Sequence, residues 1–428
     1  MINYRTILTS LMRVILISVI MTSCDTDKDI ASPVGKFFMK YYGGDGDQIS
    51  ADIIESEDGN FILVGSSGNR SSFELSSRIY VCKVTPEGRL IWEKVIGEAG
   101  DLARDIEPIG GDRYVILADH RASAINIDPK LIRIDTHGER IDSVTYFREG
   151  IQRSKSVTPL EDQGFIVTGS TEYDSLILLN PGNPDDLSDI FHYRCNSSLQ
   201  FDRVNWYEQG GSGTFDMGIR TIEEPGAGFF VFGASNQTHA GNQEGKVNLY
   251  YSVINDGGVT GDLSFLGDFT TDTESSFVVT VPSELGGGYL LTGTKNYPTG
   301  ASRIQLTKLR PNLNFDFTDE QWDMEVQLGE RNLTAVSATP SLYATRGYFV
   351  LADETSSDGR KNIWLTKVNT NGGEVWSRFF GSREEDDTAS RVLELADGSI
   401  LVLGTTGLIN GQSKITLFKL NPEGQLAE

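Results

Sequence analysis

The chain has 428 residues, with 37 Lys and Arg against 60 Asp and Glu, so its formal net charge is −23. With 38% hydrophobic residues, a chain of this length can bury a large core, which excludes an intrinsically disordered protein. Its 46 glycines exceed the usual share of about 7%. Nucleic acid is excluded as a partner, because a chain this acidic repels a polyanion.

Residues 1–23 are predicted to be a signal peptide. Two arginines precede an apolar run at 14–21, which is too short for a membrane span of about 18 residues. Thr22 and Ser23 then directly precede Cys24, a pattern that resembles the lipobox of bacterial lipoproteins. The resemblance implies that Cys24 is lipidated and becomes the first residue of the mature chain. The alternative is a cleaved secretory signal with an incidental cysteine.

Residues 24–35 are predicted to be a flexible acidic tether. Asp25, Asp27 and Asp29 follow Cys24 closely, and such a polar stretch suits a linker between an anchor and a folded domain. The acidic tract resembles the surface-export signal of Bacteroidota lipoproteins. That resemblance implies a lipid-anchored protein of the outer membrane that faces the cell exterior.

From residue 36 onward, a glycine turn followed by an apolar strand recurs in seven copies. Each copy closes on a small residue, and these residues are Gly65, Ala118, Gly169, Gly233, Gly293, Ala352 and Gly404. They are spaced about 50 to 60 residues apart, a period that is typical of β-propeller blades.

Each copy is predicted to contain four strands. A second strand such as 79–84 is followed by a glycine turn at 85–88, which suits a hairpin. The next strand runs from an aromatic residue to a glycine, as from Trp92 to Gly97. A further strand, such as 390–395, leads into the next copy. Four strands without helices make one propeller blade.

The two ends of the chain complement each other. The last copy stops at Glu428, before its aromatic strand could form, and residues 37–43 supply a strand of that type. Such a strand would cover an exposed sheet edge. We therefore predict an all-β, seven-bladed β-propeller over residues 36–428, with four-stranded blades, closed by an N-terminal strand that completes the last blade.

The blade pattern, seen in Asp58–Gly65 and Asp397–Gly404, resembles propeller-type lipoproteins of Bacteroidota. The resemblance implies an accessory subunit beside a SusC-like TonB-dependent transporter and a SusD-like lipoprotein, with oligosaccharide or peptide uptake as the setting. Two alternatives stay open. One is a polysaccharide hydrolase or lyase at the cell surface, and the other is a structural scaffold.

No motif predicts catalysis. The histidines stand apart without metal-ligand or triad spacing, and they are His120, His137, His192 and His239. No GxSxG motif or phosphate-binding loop is present in the sequence either. A non-enzymatic binding protein without an organic cofactor is therefore expected.

Ligand recognition is expected at the variable loops of one propeller face. These loops carry side chains suited to a polar ligand, namely Arg70, Phe73, Arg121, His239, Tyr297 and Arg360. The connections between blades on the same face are acidic and contain Asp45, Asp47, Asp101, Asp386 and Asp387. We expect each Asp to cap its own turn, with a Ca²⁺ site as the alternative.

Three further positions have structural interpretations. Cys82 lies in an apolar strand and is expected in the core. Trp92 and Trp376 share one repeat position and are expected to pack between blades. Lysines recur at another repeat position and are expected to line a polar edge, and they are Lys83, Lys308, Lys367 and Lys419.

Overall fold

The computed structural model describes residues 36–426, except position 149 and the segments 173–187, 208–214, 225–227, 239–245, 255–263, 267–270, 311–318, 327–330 and 382–384. The predicted signal peptide, Cys24 and the tether lie outside the described residues. Among the residues described, no helix is long and apolar enough to cross a membrane.

The described residues form β-strands and three short helical turns, at Arg70–Ser72, Phe73–Ser76 and Ser283–Leu285. The first strands are β1 (Phe38–Tyr42), β2 (Asp47–Glu55), β3 (Phe61–Gly68), β4 (Arg78–Val84), β5 (Leu90–Ile96), β6 (Asp101–Pro108), β7 (Arg113–Ser123), β8 (Asn126–Asp135) and β9 (Arg140–Thr145). They are followed by β10 (Ile151–Pro159), β11 (Phe165–Glu172), β12 (Asp189–Cys195), β13 (Phe201–Tyr207), β14 (Asp216–Glu224), β15 (Gly228–Ser235), β16 (Asn248–Ile254), β17 (Ser264–Leu266), β18 (Asp272–Thr280) and β19 (Tyr289–Asn296). The last are β20 (Ser302–Arg310), β21 (Asp319–Val326), β22 (Asn332–Ser341), β23 (Gly347–Thr355), β24 (Lys361–Asn369), β25 (Glu374–Phe380), β26 (Asp387–Glu394), β27 (Ile400–Gly407) and β28 (Ser413–Leu420).

These strands form antiparallel meanders of four, so the predicted all-β fold with four-stranded sheets is confirmed. The meanders are β2–β5, β6–β9, β10–β13, β14–β17, β18–β21 and β22–β25, and β26–β28 pair with β1. A single parallel bridge between Ile151 and Ile127 joins β10–β13 to β6–β9. Each sheet is named below by its first strand, from the β2 sheet to the β26 sheet.

The first strands of consecutive sheets contact one another in a closed ring. Contacts run from β2 to β6, β10, β14, β18, β22 and β26, and from β26 back to β2. Hydrophobic clusters fill the space between neighbouring sheets. One cluster joins Ile62 and Val81 of the β2 sheet to Ile116 and Ile132 of the β6 sheet. Burial between sheets, rather than one central core, therefore stabilises the ring.

The predicted pairing of the two chain ends is present. β1 pairs antiparallel with β28, and Phe38 lies opposite Lys419, as Trp92 lies opposite Lys83 in the β2 sheet. Phe38 packs on the turn glycine Gly88 of the next sheet. Trp92 and Trp376 pack on turn glycines of their next sheets in the same way, as their repeat position predicted. The N-terminal strand thus repeats the contact of the other outer strands.

Every first strand carries a β-bulge opposite the small residue that marks the repeat. Ser50 and Asp52 flank one such bulge opposite Gly65, and Ser154 and Ser156 flank another opposite Gly169. A Cβ atom at Gly169 would lie 2.1 Å from the carbonyl oxygen of Arg153. The small residue is therefore needed because the two backbones approach closely at the bulge.

At five of the joints between sheets, the residue that follows the small residue connects the two sheets. Its side-chain oxygen accepts a hydrogen bond from a backbone N–H of the next first strand, just before the bulge. The acceptor and donor pairs are Ser66 with Ala103, Asp119 with Ser154, Thr294 with Ala335, Asp353 with Ala389, and Thr405 with Ser50, at 2.7–3.0 Å. These bonds satisfy buried backbone donors that would otherwise be costly.

The repeated lysines are buried, so their expected place on a polar edge was wrong. The Lys83 ammonium lies 2.7 Å from the Asp58 carboxylate. Lys419 donates to the carbonyl of Pro86 at 3.1 Å, across the closure between the β26 and β2 sheets. Turn groups are therefore the partners of Lys83, Lys308 and Lys419, and Lys308 donates to the Gly287 carbonyl. The Lys367 ammonium instead lies 4.0 Å from the centre of the Phe349 ring. Cys82 is buried and free, as expected for a core residue.

Replacement of Phe38 by alanine should weaken the closure of the ring. Phe38 is buried, and Phe→Ala substitutions in cores cost about 3 kcal/mol or more. We expect a loss of about 3 kcal/mol in the free energy of unfolding, measured by urea denaturation. Tyr41→Ala on the same strand is the control, because Tyr41 is exposed. Equal losses in both variants would contradict the closing role of Phe38.

Replacement of Thr405 by valine should weaken the joint between the β26 and β2 sheets. Valine keeps the shape but removes the acceptor of the Ser50 N–H, and a buried unpaired donor costs about 1–3 kcal/mol. Urea denaturation should show a loss of this size. The control is Thr370→Val, an exposed threonine outside the joint. An unchanged stability of Thr405→Val would show that the hydrogen bond contributes nothing.

Candidate functional site

The bulges of the first strands line a single cavity at the centre of the ring. Its volume is about 140 Å³. The bulged residue of every first strand faces it, and these residues are Ala51, Arg104, Lys155, Ile219, Ser276, Val336 and Ser390. The same backbone irregularity that joins the sheets therefore places side chains in the channel.

Ion pairs cross this channel. Arg220 on β14 donates to the Glu107 carboxylate on β6 at 2.5 Å, past the intervening β10 sheet. Arg391 on β26 lies 3.3 Å from the Asp52 carboxylate on β2. The Arg391 guanidinium also lies 4.5 Å from the centre of the Phe277 ring on β18. The Arg220–Glu107 ion pair and the Arg391–Phe277 contact each connect sheets that are not neighbours in the ring. The β26 and β2 sheets, which Arg391 and Asp52 join, are neighbours.

Two carboxyl groups in the channel are hydrogen-bonded to each other. They belong to Asp52 and Asp105, which are both buried. Burial and the neighbouring Asp52 raise the pKa of Asp105 to about 7. The oxygens of Asp105 also accept backbone hydrogen bonds from Ile106 at 3.0 Å and Val157 at 2.9 Å. At mildly acidic pH, Asp105 is therefore protonated and binds its neighbour.

The predicted ligand-binding residues lie on loops of different sheets. Arg121 pairs with Glu74 at 2.9 Å, and Arg70 donates to the carbonyl of Gly411. Phe73 begins a helical turn between β3 and β4. His239 lies outside the described residues.

The other two predicted residues are also held by near neighbours. The Tyr297 hydroxyl donates to Glu325 at 2.5 Å, and Arg360 donates to Asp358 at 2.8 Å through Nε. Where described, none of the predicted ligand-binding residues lines the channel cavity. These residues remain candidates for contacting a ligand individually, but they do not form one pocket.

The acidic residues of the connections between blades bind backbone N–H groups and a lysine close to them. Asp47 accepts from the Ser413 N–H at 3.0 Å, and Asp386 from the Lys361 N–H at 2.9 Å. Asp101 accepts from the Glu98 N–H at 2.7 Å and pairs with Lys130 at 2.8 Å.

The two remaining acids of these connections make similar local contacts. Asp387 accepts from the Gly407 N–H at 3.2 Å, and the Asp45 carbonyl accepts from Gln48. Within the described part of the chain, no three His, Cys, Asp or Glu side chains are placed to share a metal ion.

The sequence reasoning missed the charged residues of the channel. Asp52, Asp105, Arg220 and Arg391 each follow a bulged residue. Their strands mix polar and apolar residues, so a charge there did not stand out in the sequence. These charges could be assigned to the channel only once the bulges were known, because a bulge changes which face the following side chains occupy.

Comparison with known proteins supports the fold and nothing finer. No family model matches the chain, and no curated protein matches its sequence. Drosophila semaphorin 2a is similar in structure, with 10% identity, 90% of this chain and 75% of that chain covered, and a TM-score of 0.50.

Two further solved structures are more distant. An α-L-arabinanase of Penicillium chrysogenum complexed with arabinobiose has 14% identity, 74% and 92% coverage, and a TM-score of 0.47. An apocarotenoid oxygenase of Synechocystis has 12% identity, 78% and 72% coverage, and a TM-score of 0.46. The ring of four-stranded sheets and the similarity to semaphorin 2a together show that the chain has an all-β, propeller-like fold.

The raised pKa of Asp105 predicts a pH-dependent stability. The folded state holds this proton up to about pH 7, whereas the unfolded state loses it near 3.8, the ordinary pKa of an aspartate. The folded state therefore binds more protons between these values, and stability falls as the pH rises through them. Asp105→Asn should remove this pH dependence. Between pH 5 and pH 7, the free energy of unfolding should therefore fall by about 1–2 kcal/mol more in wild type than in the variant.

The measurement is urea denaturation at a series of pH values. Asp358→Asn is the control, because hydrogen bonds from Arg360 lower the pKa of Asp358 and keep it ionised across this window. Identical pH slopes for wild type and Asp105→Asn would contradict the shared proton.

Proposed function

We propose that the chain is a seven-bladed β-propeller that acts as a non-enzymatic surface lipoprotein of the outer membrane. In this proposal it is a ligand-binding module or accessory subunit of a SusC/SusD-like complex that imports oligosaccharide or peptide. The closed ring of first strands supports the blade count, because each first strand begins a four-stranded sheet and β1 completes the last one.

The hydrogen-bonded carboxyl pair in the channel is the observation that favours binding over hydrolysis. Glycoside hydrolases place two carboxyl groups about 5 to 9.5 Å apart, on either side of the bond that is cut. Asp52 and Asp105 instead bond directly to each other and are buried. No sugar ring fits between them, so the pair does not suit a hydrolase.

The lipid anchor and the partners rest on the sequence. Thr22, Ser23 and Cys24 support lipidation, and the blade pattern supports association with a transporter and its SusD-like subunit. The tether would join the fold at Lys36, directly before β1. Twelve extended residues span at most about 40 Å, so the region around β1 stays near the membrane and near any transporter in it.

An apolar groove beside β1 is the surface that we assign to the SusC-like transporter. It has a volume of about 450 Å³ and is lined by residues of β1, β25, the β27–β28 connection and the chain end, including Met39, Tyr41, Phe379, Ile409 and Leu426. All five side chains are exposed, and Ile409 is 87% exposed. Exposed apolar patches of this kind mark protein interaction sites, and this one lies beside the point where the tether joins.

The test is a pull-down of the full-length lipoprotein from its native membrane in mild detergent, followed by mass spectrometry. We expect stoichiometric recovery of a TonB-dependent transporter and a SusD-like protein. Ile409→Glu should lose the transporter, because it places a charge in the groove. Leu75→Glu, at an exposed leucine outside the groove lining, should retain it.

Cys24→Ala is the control for the anchor and should abolish recovery from the membrane fraction. Recovery of the intact, lipidated protein alone would overturn the accessory-subunit proposal and favour a scaffold or an enzyme. Retention of the transporter by Ile409→Glu would overturn the assignment of the groove only.

A further inference from the structure

The channel cavity is rich in positive charge although the whole chain is strongly acidic. Four cationic side chains line it, Arg104, Lys155, Arg220 and Arg391, against the two carboxyl groups of Asp52 and Asp105. The formal charge of the chain is −23, so the excess of positive side chains around the cavity is opposite in sign to the net charge of the molecule. Such a cavity attracts small anions at short range, where its own charges dominate.

Lys155 is the cation of this cavity that has no acidic partner. Arg104 pairs with Asp119 at 2.7 Å, Arg220 with Glu107, and Arg391 with Asp52. Among the described residues, the Lys155 ammonium makes no ion pair within 4.0 Å. The side chain keeps contact with solvent in the channel, yet the surrounding protein and the nearby Arg104 lower the pKa of Lys155.

The acids nearest to Lys155 are engaged elsewhere. One oxygen of Asp119 binds Nε and Nη2 of Arg104, and the other accepts the Ser154 N–H at 2.9 Å. Glu274 faces Lys155 from β18 and accepts a hydrogen bond from Asn296 at 3.4 Å. Burial and Asp272 raise the pKa of Glu274. Within the described residues, neither acid forms an ion pair with Lys155, although both attract its charge from a greater distance.

Arg104 offers a second donor to the same space. Its Nε and Nη2 are held by Asp119, and Nη1 makes no contact with an acid within the described part of the chain. Arg104 and Lys155 are the bulged residues of neighbouring first strands, β6 and β10, so the bulges bring both to one side of the cavity. A fixed guanidinium beside an ammonium is a common arrangement for binding oxyanions.

We infer that the central channel binds a small oxyanion, of the size of phosphate or a short carboxylate, between the Lys155 ammonium and the Arg104 guanidinium. The cavity of about 140 Å³ holds about five water molecules at 30 Å³ each, which limits the ligand to a few non-hydrogen atoms. This site goes beyond the proposed function, because it needs neither the anchor nor a partner protein.

The test follows the lysine signals of the full chain by NMR after reductive ¹³C-methylation, with inorganic phosphate added at constant ionic strength. The Lys155 signal is assigned by its loss in Lys155→Arg. We expect it to shift saturably at millimolar phosphate. The signal of Lys94, which pairs with Glu139 on an outer strand, should stay unchanged.

Arg104→Gln should weaken phosphate binding at least about tenfold, because one charge-assisted hydrogen bond is lost. Arg89→Gln, at an exposed arginine outside the channel, is the matched control and should bind as wild type does. A Lys155 signal that stays fixed up to tens of millimolar phosphate, or that moves together with all other lysines, would overturn the site. The wild-type titration decides this even if Arg104→Gln does not fold.

Discussion

The fold depends on how the backbone of each first strand is satisfied at its bulge. A bulge interrupts the ladder to the second strand, and the freed N–H groups are buried. In five of the joints a side-chain oxygen of the preceding sheet accepts such an N–H, as Thr405 does for Ser50 and Asp119 for Ser154. This hydrogen bond therefore satisfies the backbone at the bulge and also connects two neighbouring sheets. It fixes the spacing between the sheets of the ring.

The same bulges decide what the channel contains. In a regular strand, successive side chains alternate between two faces, and a bulge adds one residue that breaks the alternation. Here the added residue faces the channel in every first strand, from Ala51 to Ser390. The charge that follows it can then reach a non-adjacent sheet, as Arg220 does in its ion pair with Glu107. Sheet assembly and channel chemistry thus share one structural cause.

The sequence predicts the features that recur and misses those that do not. Glycine turns, small closing residues and aromatic outer strands repeat, so they predicted the strands, the four-stranded sheets and the pairing of β1 with β28. The position of the bulge was hidden, because the bulged residue has no consistent type among the copies, as Arg104 and Ile219 show. The buried lysines were misplaced for another reason. Their partners are turn groups far away in the sequence, such as Asp58 for Lys83 in the same sheet and Pro86 for Lys419 in the next one.

Positions without a repeated residue are therefore where this chain acquires individual chemistry. Interactions that hold the ring constrain the small residue and the acceptor after it, whereas the bulged residue varies between copies. Ile219 lies in a hydrophobic cluster, and Lys155 contacts solvent in the channel. An ammonium there costs little in packing, and the engagement of Asp119 by Arg104 leaves its charge available. A ring built from near-identical units can thus carry one specific binding group without altering any joint between its sheets.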